Sequence, residues 1–177
     1  MKWRPFQHDG TTYDLTHLHP CTYRFERPAE GDKPAETYTV ETIFTSHCFT
    51  RGPKDGEVYD KQLVYTGDDY EVRLFDFRRY ELSKRLPEII QALPTKKPYH
   101  NRNRRNFFTV EVLTDDGQTI EYDIFFKVKK LGKGKLELIV ETAFVRDPGY
   151  QSSRPSGKPI RFWIILHNTM HGIKIRT

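Results

Sequence analysis

The stretch FTSHCFTRG (residues 44–52) sets His47 beside Cys48 in a chain that has only two cysteines and seven histidines. An imidazole titrates near neutral pH, so it can act as general acid or base or ligate a metal. A thiol is a nucleophile or a soft ligand. Adding His19 and Cys21 gives four nitrogen and sulfur donors, the number a structural zinc site takes. Among these four, however, there is neither a C-x2-C nor an H-x3-5-H spacing. Adjacent strand residues also project to opposite faces, so His47 and Cys48 would share an ion only at a bend. No metal and no cofactor are expected. Cys48 reads best as a small buried hydrophobe, and His47 remains as the candidate acid or base.

A different chemistry is carried by KKPYHNRNRRNFF (residues 96–108). Lys96, Lys97, Arg102, Arg104 and Arg105 would neutralise phosphates, while Tyr99 and His100 offer planar faces to unpaired bases. A second group, Lys127, Lys129, Lys130, Lys133 and Lys135, surrounds the turn LGKGK, and Lys129 and Lys130 extend the expected nucleic-acid surface. LGKGK lacks the flanks of a phosphate-binding glycine loop. The acidic pairs Asp68-Asp69 and Asp115-Asp116 fall in turns, where side-chain to backbone hydrogen bonds explain them. Charge divides along the chain: residues 1–94 hold 13 Lys/Arg against 16 Asp/Glu, and residues 95–177 hold 16 against 8. A basic half beside an acidic one points to a polyanionic partner, RNA or single-stranded nucleic acid. A protein inhibitor or partner is the other expected partner.

These residues need a frame. A length of 177 residues predicts one domain over 1–177. The acidic, β-rich half (residues 1–94) ends in a helix, and the basic half (residues 95–177) is an antiparallel meander. Alternation in Thr37–Phe49 places Tyr38, Val40, Thr42 and Phe44 on one face of a strand. Pro20 makes the run around it an edge strand or a bend. Leu82, Leu86, Ile89, Ile90 and Leu93 have helical spacing, so one clear helix is predicted over about 81–93, with Ser83 as its cap or a restart at Pro87. Strands follow at 107–113, 120–130 and 136–145, with Thr142 and Phe144 on the same inward face as Leu136, Leu138 and Val140. Ile160–His167 reads as a last strand. The class is α+β, mainly antiparallel β-sheet with that helix packed on it. The longest apolar run, FWIIL (Phe162–Leu166), is five residues, far below the roughly 18 that cross a bilayer. With no apolar leader at the N-terminus, a cytoplasmic protein with no membrane partner is expected.

Three stretches, FTSHCFTRG, RLFDFRRYELSKRLPEII and YDIFFKVKKLGKGKLELIVETAFVRD, resemble bacterial proteins found on prophages and mobile elements. The last also resembles the C-terminal meander of small ribonuclease toxins of the barnase, EndoU, colicin and RelE kind, which cleave RNA without metal. That resemblance implies His47 as acid or base and Arg79 or Lys127 as stabiliser of the pentacoordinate phosphate. It also implies Tyr80 as proton donor or base stack and Thr142 as a hydrogen-bond donor to phosphate. The expected function is RNA binding with metal-independent endoribonuclease activity, as a toxin or phage-defence effector. A non-catalytic nucleic-acid-binding module and a protein–protein adaptor or antitoxin-like regulator are the alternatives. The adaptor would need an exposed apolar patch, and the module only a continuous basic face.

Overall fold

The computed structural model describes residues 2–67, 71–100, 106–113, 117, 119–145 and 158–175, with 106–113 as backbone. Arg102, Arg104 and Arg105 and residues 146–157 lie outside the described residues. A small hairpin, β1 (Phe6–His8) and β2 (Thr11–Tyr13), opens the chain. β3 (Cys21–Arg27) and β4 (Glu36–Phe44) then pair antiparallel. β5 (Thr50–Arg51) and β6 (Leu74–Phe75) form a short ribbon ahead of two helices, α1 (Phe77–Ser83) and α2 (Leu86–Gln91). β7 (Tyr99–His100), β8 (Asn106–Leu113), β9 (Thr119–Gly132) and β10 (Lys135–Val145) follow. The chain closes with β11 (Lys158–Pro159) and α3 (Phe162–His171).

The main sheet has seven strands in the order β11-β7-β8-β9-β10-β4-β3. Every neighbouring pair is antiparallel except β10 with β4. The sheet therefore draws strands from both the acidic and the basic half of the chain. β3, just after Pro20, is one edge of the sheet, a position that tolerates a neighbouring proline. The architecture is α+β and mainly antiparallel, with helices packed on the sheet.

Period-2 alternation selects the inner face. Tyr38, Val40, Thr42 and Phe44 of β4, Tyr122, Ile124 and Phe126 of β9, and Leu136, Leu138 and Val140 of β10 are all buried. Against them pack Leu82, Leu86, Ile90 and Leu93 from the α1–α2 region and Phe162, Ile165 and Leu166 from α3. In β10 the inward phase does not continue to Thr142 and Phe144 as the alternation predicts. Val140 pairs with Phe126 but Thr142 pairs with Phe125, so β10 holds one extra residue there. A bulge of this kind moves every later side chain to the opposite face. Ala143 takes the core position, and Phe144 stacks on Phe125 with centroids 5.8 Å apart.

The helix expected over 81–93 is two short helices. α1 starts earlier, capped by Asp76, whose carboxylate accepts from the Arg79 N–H at 2.9 Å; Ser83 ends this helix instead of starting it. α2 restarts with Pro87 in its first turn. The proline ring cannot continue α1 because it removes a donor and clashes with the carbonyl four residues back. The larger correction is at 160–167, where a strand was expected and α3 stands. A five-residue apolar run fits a buried helix as well as a strand. Here Phe162, Ile165 and Leu166 (i, i+3, i+4) are buried while Ile164 is 42% exposed. Gly172, at φ 68°, closes the helix with a left-handed cap.

Candidate functional site

His47 is the middle residue of a 3-10 turn, Ser46–Cys48, that links β4 to β5, and it is half-buried. The Thr45 hydroxyl donates to the Glu141 carbonyl (2.7 Å), which ties this turn to the bulge of β10. Arg79 reaches across from α1. Its Nη1 donates to the carbonyls of His47 and Thr50, each at 3.0 Å, and its guanidinium lies 5.6 Å from the Phe144 ring centroid. His47 and Arg79 thus meet through the backbone of the turn. Lys127 stands near the same end of β10, its Nζ 2.7 Å from Glu141 Oε1. Thr142 pairs with Phe125 on the far side of the bulge. Tyr80 does not join them. It is buried among Tyr13, His17 and Phe75, with Lys84 Nζ 4.6 Å over its ring, and burial raises its phenol above the usual range.

The four nitrogen and sulfur donors stay apart. His19 Nε2 lies 3.0 Å from the Trp3 carbonyl oxygen, and Cys48 is fully buried with Sγ 3.8 Å from the Val140 carbonyl. Burial pushes the Cys48 thiol up to about 12, so at neutral pH it carries no thiolate and is inert. A disulfide-exchange reagent titrating the native protein will leave Cys48 unmodified, whereas half-buried Cys21 remains the thiol within reach. Both will react in denaturant. Modification of Cys48 at the native rate of Cys21 would show that the turn opens.

The expected nucleic-acid residues divide into two groups. Lys96 and Lys97 are exposed after α2 and Tyr99 is 41% exposed on β7, whereas His100 is buried, which withdraws its ring from stacking. On the sheet the lysines are matched by carboxylates of the neighbouring strand. Lys129 Nζ is 2.6 Å from Glu137, Lys127 pairs with Glu141, and Lys135 Nζ is 2.9 Å from Glu41; Lys130 is exposed. This ladder cancels most of the second basic cluster. Lys96 and Lys97 instead line a hollow of about 320 Å³ with Arg27, Arg161 and Trp163, where Arg161 pairs with Glu30 at 3.2 Å and Arg27 with Glu36 at 3.3 Å. Trp163 also walls a larger hollow of about 750 Å³ that contains Glu36 and His167.

That second hollow holds a group absent from the sequence-based candidates. Glu36 begins β4, and His167 and His171 are one turn apart on α3. His167 Nδ1 is 3.3 Å from Glu36 Oε2, and His171 Nε2 is 3.7 Å from Oε1. Their ligand atoms all lie within 4.8 Å of one another, and among the described residues no other such trio of His, Cys, Asp or Glu occurs. Tyr38 Oη donates to Glu36 Oε2, and Arg27 Nη2 lies 3.3 Å from it. Burial alone would raise the Glu36 carboxyl, but the hydrogen bonds from Tyr38 and His167 and the Arg27 charge bring it below its ordinary value. The available signal was HNTMH (residues 167–171), an H-x3-H pair. Reading Ile160–His167 as a strand hid it, because only a helix places residues i and i+4 on one face.

The class these features define is an α+β protein with helices on the inner face of a mixed sheet and a cationic, tryptophan-walled cleft at one end of β4. No helix among the described residues is long and apolar enough to cross a membrane. The chain belongs to the YjaZ family, whose model matches residues 5–170 and so spans both the His47 turn and the cleft. The chain matches no curated protein and no solved structure.

Proposed function

We propose that the protein binds single-stranded RNA in the cleft beside Trp163, in the reducing cytoplasm. One observation carries this reading: Arg27, Lys96, Lys97 and Arg161 surround a half-buried indole, and with Arg161 paired to Glu30 and Arg27 to Glu36, Lys96 and Lys97 supply the excess positive charge. Cations along a groove neutralise phosphates and release their counterions, and an aromatic face stacks on an unpaired base of any identity. Tyr99, exposed on the adjoining β7, extends the stacking surface. RNA is proposed over DNA on the sequence resemblance of YDIFFKVKKLGKGKLELIVETAFVRD to ribonuclease toxins. Two free cysteines agree with a reducing compartment.

Binding is favoured over cleavage because the residues nominated for catalysis are engaged elsewhere. Arg79 donates to two carbonyls, Lys127 pairs with Glu141, and Tyr80 belongs to the core. Anisotropy titrations of a labelled single-stranded RNA test the proposal. Lys96→Ala and Lys97→Ala should each lower the salt slope by about one. Trp163→Ala should weaken binding by about 1–3 kcal/mol with the salt slope unchanged. Salt-insensitive binding, or binding indifferent to all three substitutions, would sink the idea. EDTA-resistant cleavage of that RNA, lost in His47→Ala, would establish the ribonuclease in its place.

A further inference from the structure

We propose that Glu36, His167 and His171 form a binding site for one divalent transition-metal ion of the zinc class, with a coordination position open to the cleft. Burial of Phe162, Ile165 and Leu166 fixes which way α3 is turned about its axis. His167 and His171, four residues apart, then project together along the side that meets the start of β4. Their ring centroids are 4.4 Å apart. Two imidazoles and a carboxylate are the donor set preferred by zinc and its borderline neighbours, and they are unsuited to magnesium or calcium.

The trio is compact enough to share one ion. Zinc holds nitrogen and oxygen ligands at about 2.0–2.2 Å, so tetrahedral ligand atoms stand about 3.4 Å from one another. His171 Nε2 stands 3.7 Å from Glu36 Oε1, close to that value, and the ligand atoms of all three residues lie within 4.8 Å of one another. His167 Nδ1 is 3.3 Å from both Tyr38 Oη and Glu36 Oε2, long hydrogen bonds that an ion could replace. Oxygen Oε2 of Glu36 is held by Tyr38 and flanked by Arg27, which leaves Oε1, the oxygen facing His171, as the ligand atom. Tyr38 and Arg27 thus orient the carboxylate from outside, the support that ligating carboxylates ordinarily receive.

Three protein ligands leave a fourth position. Glu36 and His167 line the 750 Å³ hollow, so that position faces a space large enough for water or for an anionic oxygen of a bound molecule. Structural zinc sites close all four positions with protein, whereas three ligands and an open position are what allow exchange. The site does not depend on nucleic acid occupying the cleft. His171 is half-exposed at the end of α3, so its loss tests the ligand set without opening the core.

The experiment is titration of the chelator-stripped full chain with Zn²⁺ against a chromophoric chelator, and separately with Co²⁺ followed by visible absorption. The expected result is one Zn²⁺ per chain and an intense cobalt spectrum of low coordination number. His171→Ala and Glu36→Gln should each weaken Zn²⁺ by more than the about 10–100-fold that loss of a supporting group brings. Tyr38→Phe, which removes only the supporting hydroxyl, should fall within that range. His19→Ala should bind as the unaltered chain does. A stoichiometry well below one, a weak six-coordinate cobalt spectrum, or unchanged affinity in both His171→Ala and Glu36→Gln would overturn the proposal.

Discussion

Phe162→Ala will destabilise the protein by about 3–5 kcal/mol, read as a lower urea midpoint at unchanged m-value. Phe162 is fully buried at the first turn of α3 and meets Phe25 of β3 edge-on at 5.3 Å and Phe126 of β9 at 6.4 Å. It is therefore the side chain that fastens the last helix to two distant strands of the sheet. Truncation removes the ring's transfer energy and leaves a cavity between partners that the sheet holds in place. The effect should extend to function, because Trp163, His167 and His171 all ride on the same helix. RNA and metal affinity should fall together in this one variant, whereas the single ligand and stacking substitutions separate them. A loss of less than about 1 kcal/mol, small for a buried aromatic, would mean that α3 is held by something other than this contact.

Arg79→Ala should cost about 2–3 kcal/mol, the scale of hydrogen bonds that involve a charged group. One nitrogen of Arg79 joins the His47 and Thr50 carbonyls, bracketing the 3-10 turn that reverses the chain after β4. Without it, the His47 carbonyl loses this donor and the Thr50 carbonyl keeps Arg73 Nη2 at 3.1 Å. Arg79→Lys should recover little, since a flexible ammonium is not held in place as the planar guanidinium is. Chemical denaturation decides between this role and the phosphate-stabilising one implied by the ribonuclease likeness. Full stability with abolished RNA cleavage would favour the latter. Lost stability with RNA binding retained in the folded fraction would establish Arg79 as a clamp.

How much of this was readable in advance follows the range of the interactions. The strands β4, β8, β9 and β10 could be read because alternation is local and the turn between β9 and β10 carries Gly132 and Gly134, both at positive φ. Lys96, Lys97 and Tyr99 could be found because they are neighbours in sequence. The bulge in β10 could not, since only the partner strand shows that Glu141 is extra. Pairing of Lys129 with Glu137 likewise arises from register and left no trace in composition. Arg27 and Trp163 joined the basic segment only when β3 and α3 came together around it. The Glu36–His167 contact spans 131 positions, and one misread element was enough to hide it. Local periodicity reveals elements; a site assembled from the ends of two elements needs the fold.

The parallel pairing of β10 with β4 also affects how the chain is made. β4 is synthesised early, yet the strand that completes its inner side lies beyond the whole of 45–134. At about 5–20 residues per second, the β3–β4 hairpin spends several seconds outside the ribosome with an unpaired edge and a face of Tyr38, Val40 and Phe44 uncovered. Such an edge is a template for any other extended chain. Long-range ladders of this kind also fold slowly, because loop closure precedes the contacts that reward it. The interval before β10 emerges is therefore when the growing polypeptide is most exposed to misassociation, and shielding of this hairpin by a chaperone would matter most then.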